Sequence, residues 1–332
     1  MPDRPLRWGI MSTSHIGRRA VVPAIAASSG SELLAVASRS ADAAASFAAE
    51  ASIPRSYGSY DDLLADPDVD AVYIPLPNSL HAPWTVRAVE AGKHVLCEKP
   101  LGLSAAECRV MQGAAELHGV RLMEAFMYRY HPRTLRVVEL VRSGALGPLR
   151  SIRATFSFVV EDPTNIRLDA SLGGGALMDV GCYCVDVGRA LAGAEPDEVQ
   201  AFMVPHPGGV DRSLAGTLRF GDDVVAQFTC SLDATRTETV EVVGREGRID
   251  VPRAFLPGQG ATEATWTKRD GEVTSMAFEG VDQYRLMVEH FEEVVLAGVT
   301  PLTGAEEAAR TMRVVEGLYA SAQGGGRPVA LG

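Results

Sequence analysis

The chain has 332 residues, long for a single hydrophobic core and suggestive of two domains. Its 46% hydrophobic and 22% charged residues are the balance of an ordinary globular protein, and a net charge of −11 argues against a nucleic-acid partner while allowing a local positive pocket for an anionic cofactor. The longest stretch without a formal charge, 71–86, is broken by Pro75, Pro77 and Pro83, so no membrane-spanning helix is expected, and Met1-Pro2-Asp3-Arg4 does not resemble a signal peptide.

Residues 6–11 read as a first strand, followed by Ser12-Thr13-Ser14-His15-Ile16-Gly17 and an alanine-rich helix to about Ser28. A dinucleotide-binding fingerprint would have glycine at 12 and 14 as well as 17. Only Gly17 matches, but serine is small and its hydroxyl can donate to a phosphate. A strand, a turn and a serine-capped helix account for the same residues. A second strand, 33–37, ends in Ser38-Arg39-Ser40. An acid there would bind the ribose hydroxyls of NAD, whereas an arginine accommodates the 2′-phosphate of NADP. Arg18 and Arg19 either add to that positive field or form a solvated helix face.

A helix over 41–51, a short strand near Ser56-Tyr57 and a helix over 60–65 lead to a strand at 71–74. Pro75-Leu76-Pro77 makes a rigid turn, after which Asn78 and His81 face a crevice; His81 could equally cap the helix over 83–91. Next, Val95-Leu96-Cys97 runs into Glu98-Lys99-Pro100. Proline keeps the preceding residue out of the helical region, so Lys99 sits in extended backbone at the carboxyl end of a strand, where open parallel sheets bind ligands. A salt bridge in a loop is the plain alternative. Ser104 and Glu107 form a capping box, and 121–126 is the last strand before Met127-Tyr128-Arg129. The β–α alternation is that of a doubly wound parallel sheet. The domain boundary falls here, with a nucleotide-binding Rossmann domain over 1–125 and a substrate-binding and oligomerisation domain over 126–332.

The second half changes character. A helix over 134–143 and a turn at 144–147 precede a long alternating strand, 149–159. Further strands are expected at 199–204, 213–220, 224–231, 237–243 and 247–251, with helices at 282–297 and 304–322. This is an α+β domain with a large, open-faced, mostly antiparallel sheet. Such a face is usually closed by a copy of itself, so a homodimer or a tetramer is expected. Gly173-Gly174-Gly175 permits close backbone approach just before a helix on which Asp179 and Tyr183, four apart, share a face. The five cysteines are odd in number and contain no Cys-x-x-Cys pair. They read as small buried residues of a reducing cytoplasm, and no metal is expected.

Cys97-Glu98-Lys99-Pro100-Leu101, Glu124-Ala125-Phe126-Met127-Tyr128-Arg129 and the segment 173–183 together resemble the glucose–fructose oxidoreductase, inositol dehydrogenase and MocA (Gfo/Idh/MocA) family over nearly the whole chain. Within it, the chain is most similar to the branch of NADP-dependent D-xylose 1-dehydrogenases, dimeric dihydrodiol dehydrogenases and sugar-nucleotide 3-ketoreductases. The resemblance implies an enzyme that exchanges hydride between NADP and a sugar carbinol or carbonyl, with Lys99, Asp179 and Tyr183 as its catalytic set. Many members have histidine where Tyr183 stands. Expected cofactor contacts are Ser12, Thr13, Ser14, His15, Ile16, Ser38, Arg39, Ser40, Leu76, Pro77, Asn78, His81, Glu98, Lys99, Met127 and Arg167. Tyrosine, with a reference pKa of about 10, becomes a proton carrier when a cation favours its phenolate; Lys99 is the candidate cation and would also hydrogen-bond the substrate oxygen, so either Tyr183 or Lys99 is the immediate proton carrier. Two other readings stay open. One is reduction of a nucleotide-linked 3-keto sugar, with Arg129, Arg133 or Arg153 on the diphosphate; the other is a non-enzymatic NADP sensor.

Overall fold

In the computed structural model, which describes residues 4–332, short apolar runs of the first part of the chain build a parallel sheet. Its strands are β1 (Leu6–Met11), β2 (Ser31–Ala37), β3 (Arg55–Tyr57), β4 (Ala71–Ile74), β5 (His94–Glu98) and β6 (Leu122–Ala125). The central strands β1, β4 and β5 are buried on both faces, as a helix-covered parallel sheet requires. The crossovers are α1 (Val22–Ala27), α2 (Ala41–Ala51), α3 (Tyr60–Ala65), α4 (His81–Glu90) and α5 (Ala105–Leu117). Serine caps set three of them: Ser40 Oγ accepts the Ala43 N–H at 3.3 Å, Ser59 Oγ the Asp62 N–H at 3.1 Å and Ser104 Oγ the Glu107 N–H at 3.1 Å. The Glu107 carboxylate accepts from the Leu103 N–H at 2.7 Å, one residue ahead of the cap itself. The strand order, β3-β2-β1-β4-β5-β6, reverses between β1 and β4, and a crevice at the carboxyl ends follows from that reversal.

The chain continues through α6 (Pro132–Arg142), β7 (Leu149–Val159), a π turn (Leu177–Gly181) and α7 (Cys182–Ala192). It then forms β8 (Glu198–Pro205), β9 (Asp211–Phe220), β10 (Val224–Ser231), β11 (Asp233–Gly244), β12 (Gly247–Pro252), β13 (Thr262–Lys268) and β14 (Val273–Phe278), followed by α8 (Gln283–Leu296), α9 (Ala305–Gln323) and β15 (Val329–Ala330). These strands form a nine-stranded sheet, β14-β13-β12-β11-β7-β10-β9-β8-β15, antiparallel except where β10 pairs with β7. Ile152, Ala154 and Phe156 of β7 and Ala226, Phe228 and Cys230 of β10 are buried on the face that packs with α7. The opposite face is open, a shallow groove lined by Arg153, Thr155, Phe202, Thr217, Gln227 and Thr229, with Phe202 62% exposed.

Two features depart from expectation. Strands β14 and β15 are the sheet edges and β13 lies next to β14, where both faces are partly wet and no apolar alternation marks them. More consequential is the return of the C-terminal segment. The chain divides into two compact units, one running up to Arg129 and including Asp282–Ala309, the other Tyr130–Val281 with Arg310–Gly332. The expected division at 125/126 put α8 in the second domain. Its Phe291 instead packs on the fully buried Trp8 of β1, ring centroids 5.1 Å apart, and Glu292 accepts hydrogen bonds from the Ser28 and Ser31 hydroxyls. Trp8 Nε1 in turn donates to Ser31 Oγ at 2.8 Å. Among the described residues, no helix is long and apolar enough to cross a membrane.

Candidate active site

At the carboxyl end of β1 the backbone passes through Ser12 with φ +148°, a value open to glycine and strained for serine. Position 12 thus keeps the conformation of a fingerprint glycine although the residue has changed. Ser14 Oγ accepts the Gly17 N–H at 3.1 Å, in the first turn of a helix that opens through a π turn (Gly17–Val21) into α1. Ser12, Thr13, Ser14 and Ile16 are half-buried and His15 is exposed. At the end of β2, Ser38 Oγ accepts the Ser40 N–H at 3.4 Å, and the exposed Arg39 makes no ion pair among the described residues. Arg18 differs: it pairs with Glu50 and lies 4.5 Å over the Phe47 ring, a structural use. Hydroxyls, backbone N–H groups at a helix start and an unpaired guanidinium form the donor set that a dinucleotide with a 2′-phosphate requires. The residues present therefore fit NADP.

Strand β5 delivers Glu98, Lys99 and Pro100 to the same edge of the sheet, with a cis Lys99–Pro100 peptide. Glu98 is anchored rather than loose: its Oε1 accepts from the buried Tyr73 hydroxyl at 2.6 Å and its Oε2 from the Lys99 N–H at 3.3 Å. Burial and the Glu98 charge push the Tyr73 phenol well up, so it stays a donor. The crevice-facing His81 anticipated from the sequence is not found. Its ring is 0% exposed, with Nδ1 2.8 Å from the Pro100 carbonyl oxygen and Nε2 2.9 Å from that of Leu76. Two rigid proline-containing turns converge on it, which leaves no surface for a cofactor contact. Burial, then the Lys99 charge, pulls its pKa down. From β6, Glu124 Oε1 accepts the Leu101 N–H at 2.8 Å. Pro77 and Asn78 are half-buried; Leu76 and Met127 are buried.

In the second unit, Arg167 follows an Asn165 cap (Oδ1 accepting from Arg167 N–H at 3.1 Å), and its Nε donates to Asp179 Oδ2 at 2.7 Å. Arg167, expected beside the cofactor, is thus engaged with the acid of the proposed catalytic set. Asp179 lies in the π turn and Tyr183 one turn on in α7, so the shared face expected of a regular α-helix is rewound. The Tyr183 ring is 4% exposed and makes edge contacts with Phe156 and Phe255 at 5.2 and 5.3 Å. Asp211, absent from the sequence reading, holds the start of this helix: Oδ2 accepts the Leu177 N–H and Oδ1 the Tyr319 hydroxyl, both at 2.7 Å. Burial pushes its carboxyl up to about 6. The one trace of it in the sequence is Gly175, at φ +119°, where a Cβ would collide with Asp211 Oδ1. Two of the arginines suggested for a diphosphate are otherwise occupied. Arg133 is 1% exposed and donates to the carbonyls of Pro252, Arg253, Ala254 and Glu263, while Arg153 lies on the open sheet face, 2.9 Å from Glu241.

Residues 6–126 match the model of the oxidoreductase family with an NAD-binding Rossmann fold, and residues 134–250 match the GFO/IDH/MocA C-terminal domain. The chain is 43% identical over 323 residues to D-xylose 1-dehydrogenase (NADP(+)) 2 of Haloferax volcanii, covering 96% of this chain and 98% of that one. It superposes with a TM-score of 0.91 on an aldose-aldose oxidoreductase from Caulobacter crescentus in complex with glycerol, at 30% identity, covering 99% of this chain and 100% of that one. It also superposes with a TM-score of 0.90 on a 3-ketoreductase from Actinomadura kijaniata in complex with NADP and TDP-benzene, at 31% identity, covering 96% and 98%.

Asp211 yields a pH test. Its folded pKa lies above the unfolded value, so the folded state holds the extra proton between about pH 4 and 6, and stability falls as pH rises through that window. The loss is on the order of 2–3 kcal/mol. Asp211→Asn lacks this term: its stability relative to the parent, measured by urea unfolding, should rise by that amount from pH 4 to pH 7. A difference that is flat with pH would show that Asp211 does not titrate as stated.

Proposed function

The chain belongs to the Gfo/Idh/MocA oxidoreductases, and from that premise we propose that it transfers hydride between NADP and the anomeric carbinol or carbonyl carbon of a free aldose, D-xylose or a close relative. The observation that carries the reading is Lys99, aimed from the carboxyl end of β5 on a backbone held by its neighbours. The bound nicotinamide supplies or accepts the hydride. Ser12, Thr13 and Ser14 hold its pyrophosphate, and Arg39 takes the 2′-phosphate. Tyr183 exchanges the proton of the substrate hydroxyl, Lys99 favours the phenolate and stabilises the developing alkoxide, and Asp179, steadied by Arg167, orients the sugar hydroxyls. The occupied guanidinium of Arg133 and the outward-facing Arg153 weigh against a nucleotide-linked substrate. A retained lysine, aspartate and tyrosine weigh against a sensor, which needs no proton relay.

The open sheet face, with the exposed Phe202 on β8 next to the edge strand β15, supports a homodimer closed through that face, and five buried free thiols support a reducing cytoplasm.

Three experiments test the reading. Lys99→Met should cut kcat for D-xylose oxidation at least about 100-fold while the NADPH dissociation constant stays within about threefold; near-normal turnover removes Lys99 from the chemistry. Arg39→Ala should weaken NADPH binding about 10- to 100-fold and leave NADH binding unchanged, and equal loss for both cofactors would dissociate Arg39 from the phosphate. Phe202→Glu should halve the mass found by light scattering with no change in thermal stability of the monomer; an unaltered mass moves the interface elsewhere.

A further inference from the structure

The Pro100–Leu101 peptide is gripped on both polar sides. Its carbonyl oxygen lies 2.8 Å from His81 Nδ1, and its N–H donates to Glu124 Oε1, also at 2.8 Å. We propose that His81 and Glu124 are positioning residues, a clamp on this peptide that fixes the direction in which Lys99, one residue upstream, presents its ammonium. The proposal rests on the reading of Lys99 as the catalytic cation.

Both side chains are shut away from water, His81 at 0% and Glu124 at 5% exposed, so neither bond can be exchanged for a solvent one. The Glu124 jaw has its own anchorage, while His81 Nε2 lies 2.9 Å from the Leu76 carbonyl oxygen in the turn after β4, a second acceptor competing for the ring proton. The Glu124 N–H donates to the Thr303 carbonyl at 2.8 Å, and Thr303 Oγ1 donates back to the Glu124 carbonyl at 2.7 Å. A mere packing role would be filled as well by an apolar pair, since burying an imidazole and a carboxylate costs desolvation. What the polar pair adds is direction: two hydrogen bonds in line across one planar group leave it little freedom to turn.

The neutral imidazole carries one N–H for two carbonyls, and the clamp requires it on Nδ1. The carboxylate on the far side of the peptide draws on the Leu101 N–H and so enriches the Pro100 oxygen, making it a better acceptor than Leu76. That tautomer gives a test a purely structural role would not satisfy. An asparagine amide takes the place of Nδ1, a glutamine amide that of Nε2. His81→Leu and Glu124→Leu should each lower kcat for D-xylose about 100-fold, as a misplacement of about 1 Å does, with the NADPH dissociation constant changed less than threefold. His81→Asn should recover at least tenfold of the loss and His81→Gln should not; Glu124→Gln, which keeps the acceptor, should also recover at least tenfold.

Turnover is normalised to NADPH-binding sites, so unfolded protein does not enter the ratio. The leucine variants retaining kcat within threefold of the parent would overturn the proposal. So would a glutamine that rescues as well as asparagine, and this contrast decides alone if the leucine variants do not fold. Lys99→Met, run in parallel, separates the two levels. An active Lys99→Met sinks the reading of the lysine, whereas an inactive one beside an active His81→Leu sinks the clamp only.

Discussion

Parallel pairing of β1 with β4 is the constraint on which the first unit depends. Trp8, Gly9 and Ile10 run in register with Ala71, Val72 and Tyr73, and Tyr73 and Ile74 with Leu96 and Cys97. Strands aligned this way end at one level, so the Ser12 loop, the Pro75 turn and Lys99 all leave the sheet along a common edge. The sheet thus brings the hydroxyls of the Ser12 loop and the Lys99 ammonium, from segments more than 80 residues apart, to one edge.

A second theme is the use of buried polar groups as fixings. Glu124 takes the Leu101 N–H, Asp211 the Leu177 N–H and Glu292 the hydroxyls of Ser28 and Ser31, each from an element far away in the sequence. Such groups are costly to desolvate and add little net stability, but each has few satisfactory arrangements. Two of the three fall on the backbone beside the proposed catalytic residues: one residue beyond Pro100, and two residues before Asp179. The side chains proposed for the active site are carried on peptide groups that have been given a single position.

Much of this was legible in the chain. The alternation of apolar runs with helices, the serine caps at Ser40 and Ser104, and the proline after Lys99 are local signals, and local rules read them. Arg39 was legible because its position at a strand end has a chemical meaning. Other elements were opaque for identifiable reasons. His81 looked like a ligand because an exposed-loop pattern surrounds it, while its enclosure depends on the Pro100 carbonyl arriving from another strand. Asp211 begins a strand, where a lone acid has no pattern to break. Ser12 concealed a glycine-like φ of +148° behind an ordinary residue. The hairpin of β13 and β14 lies at an edge and shows no alternation. In every case the missing information was a tertiary partner.

The return of α8 to the first unit bears on how the molecule is made. A nascent chain emerges amino end first, and a self-contained nucleotide-binding domain could close while its successor was still being synthesised. Here the indole of Trp8 has to wait for the phenyl ring of Phe291, nearly the whole polypeptide later. Until then the inner flank of β1 is an uncovered apolar surface. The first unit is therefore sealed only when synthesis is nearly complete, as is the second, which takes in residues 310–332, and until then that flank of β1 stays open to another unfinished chain.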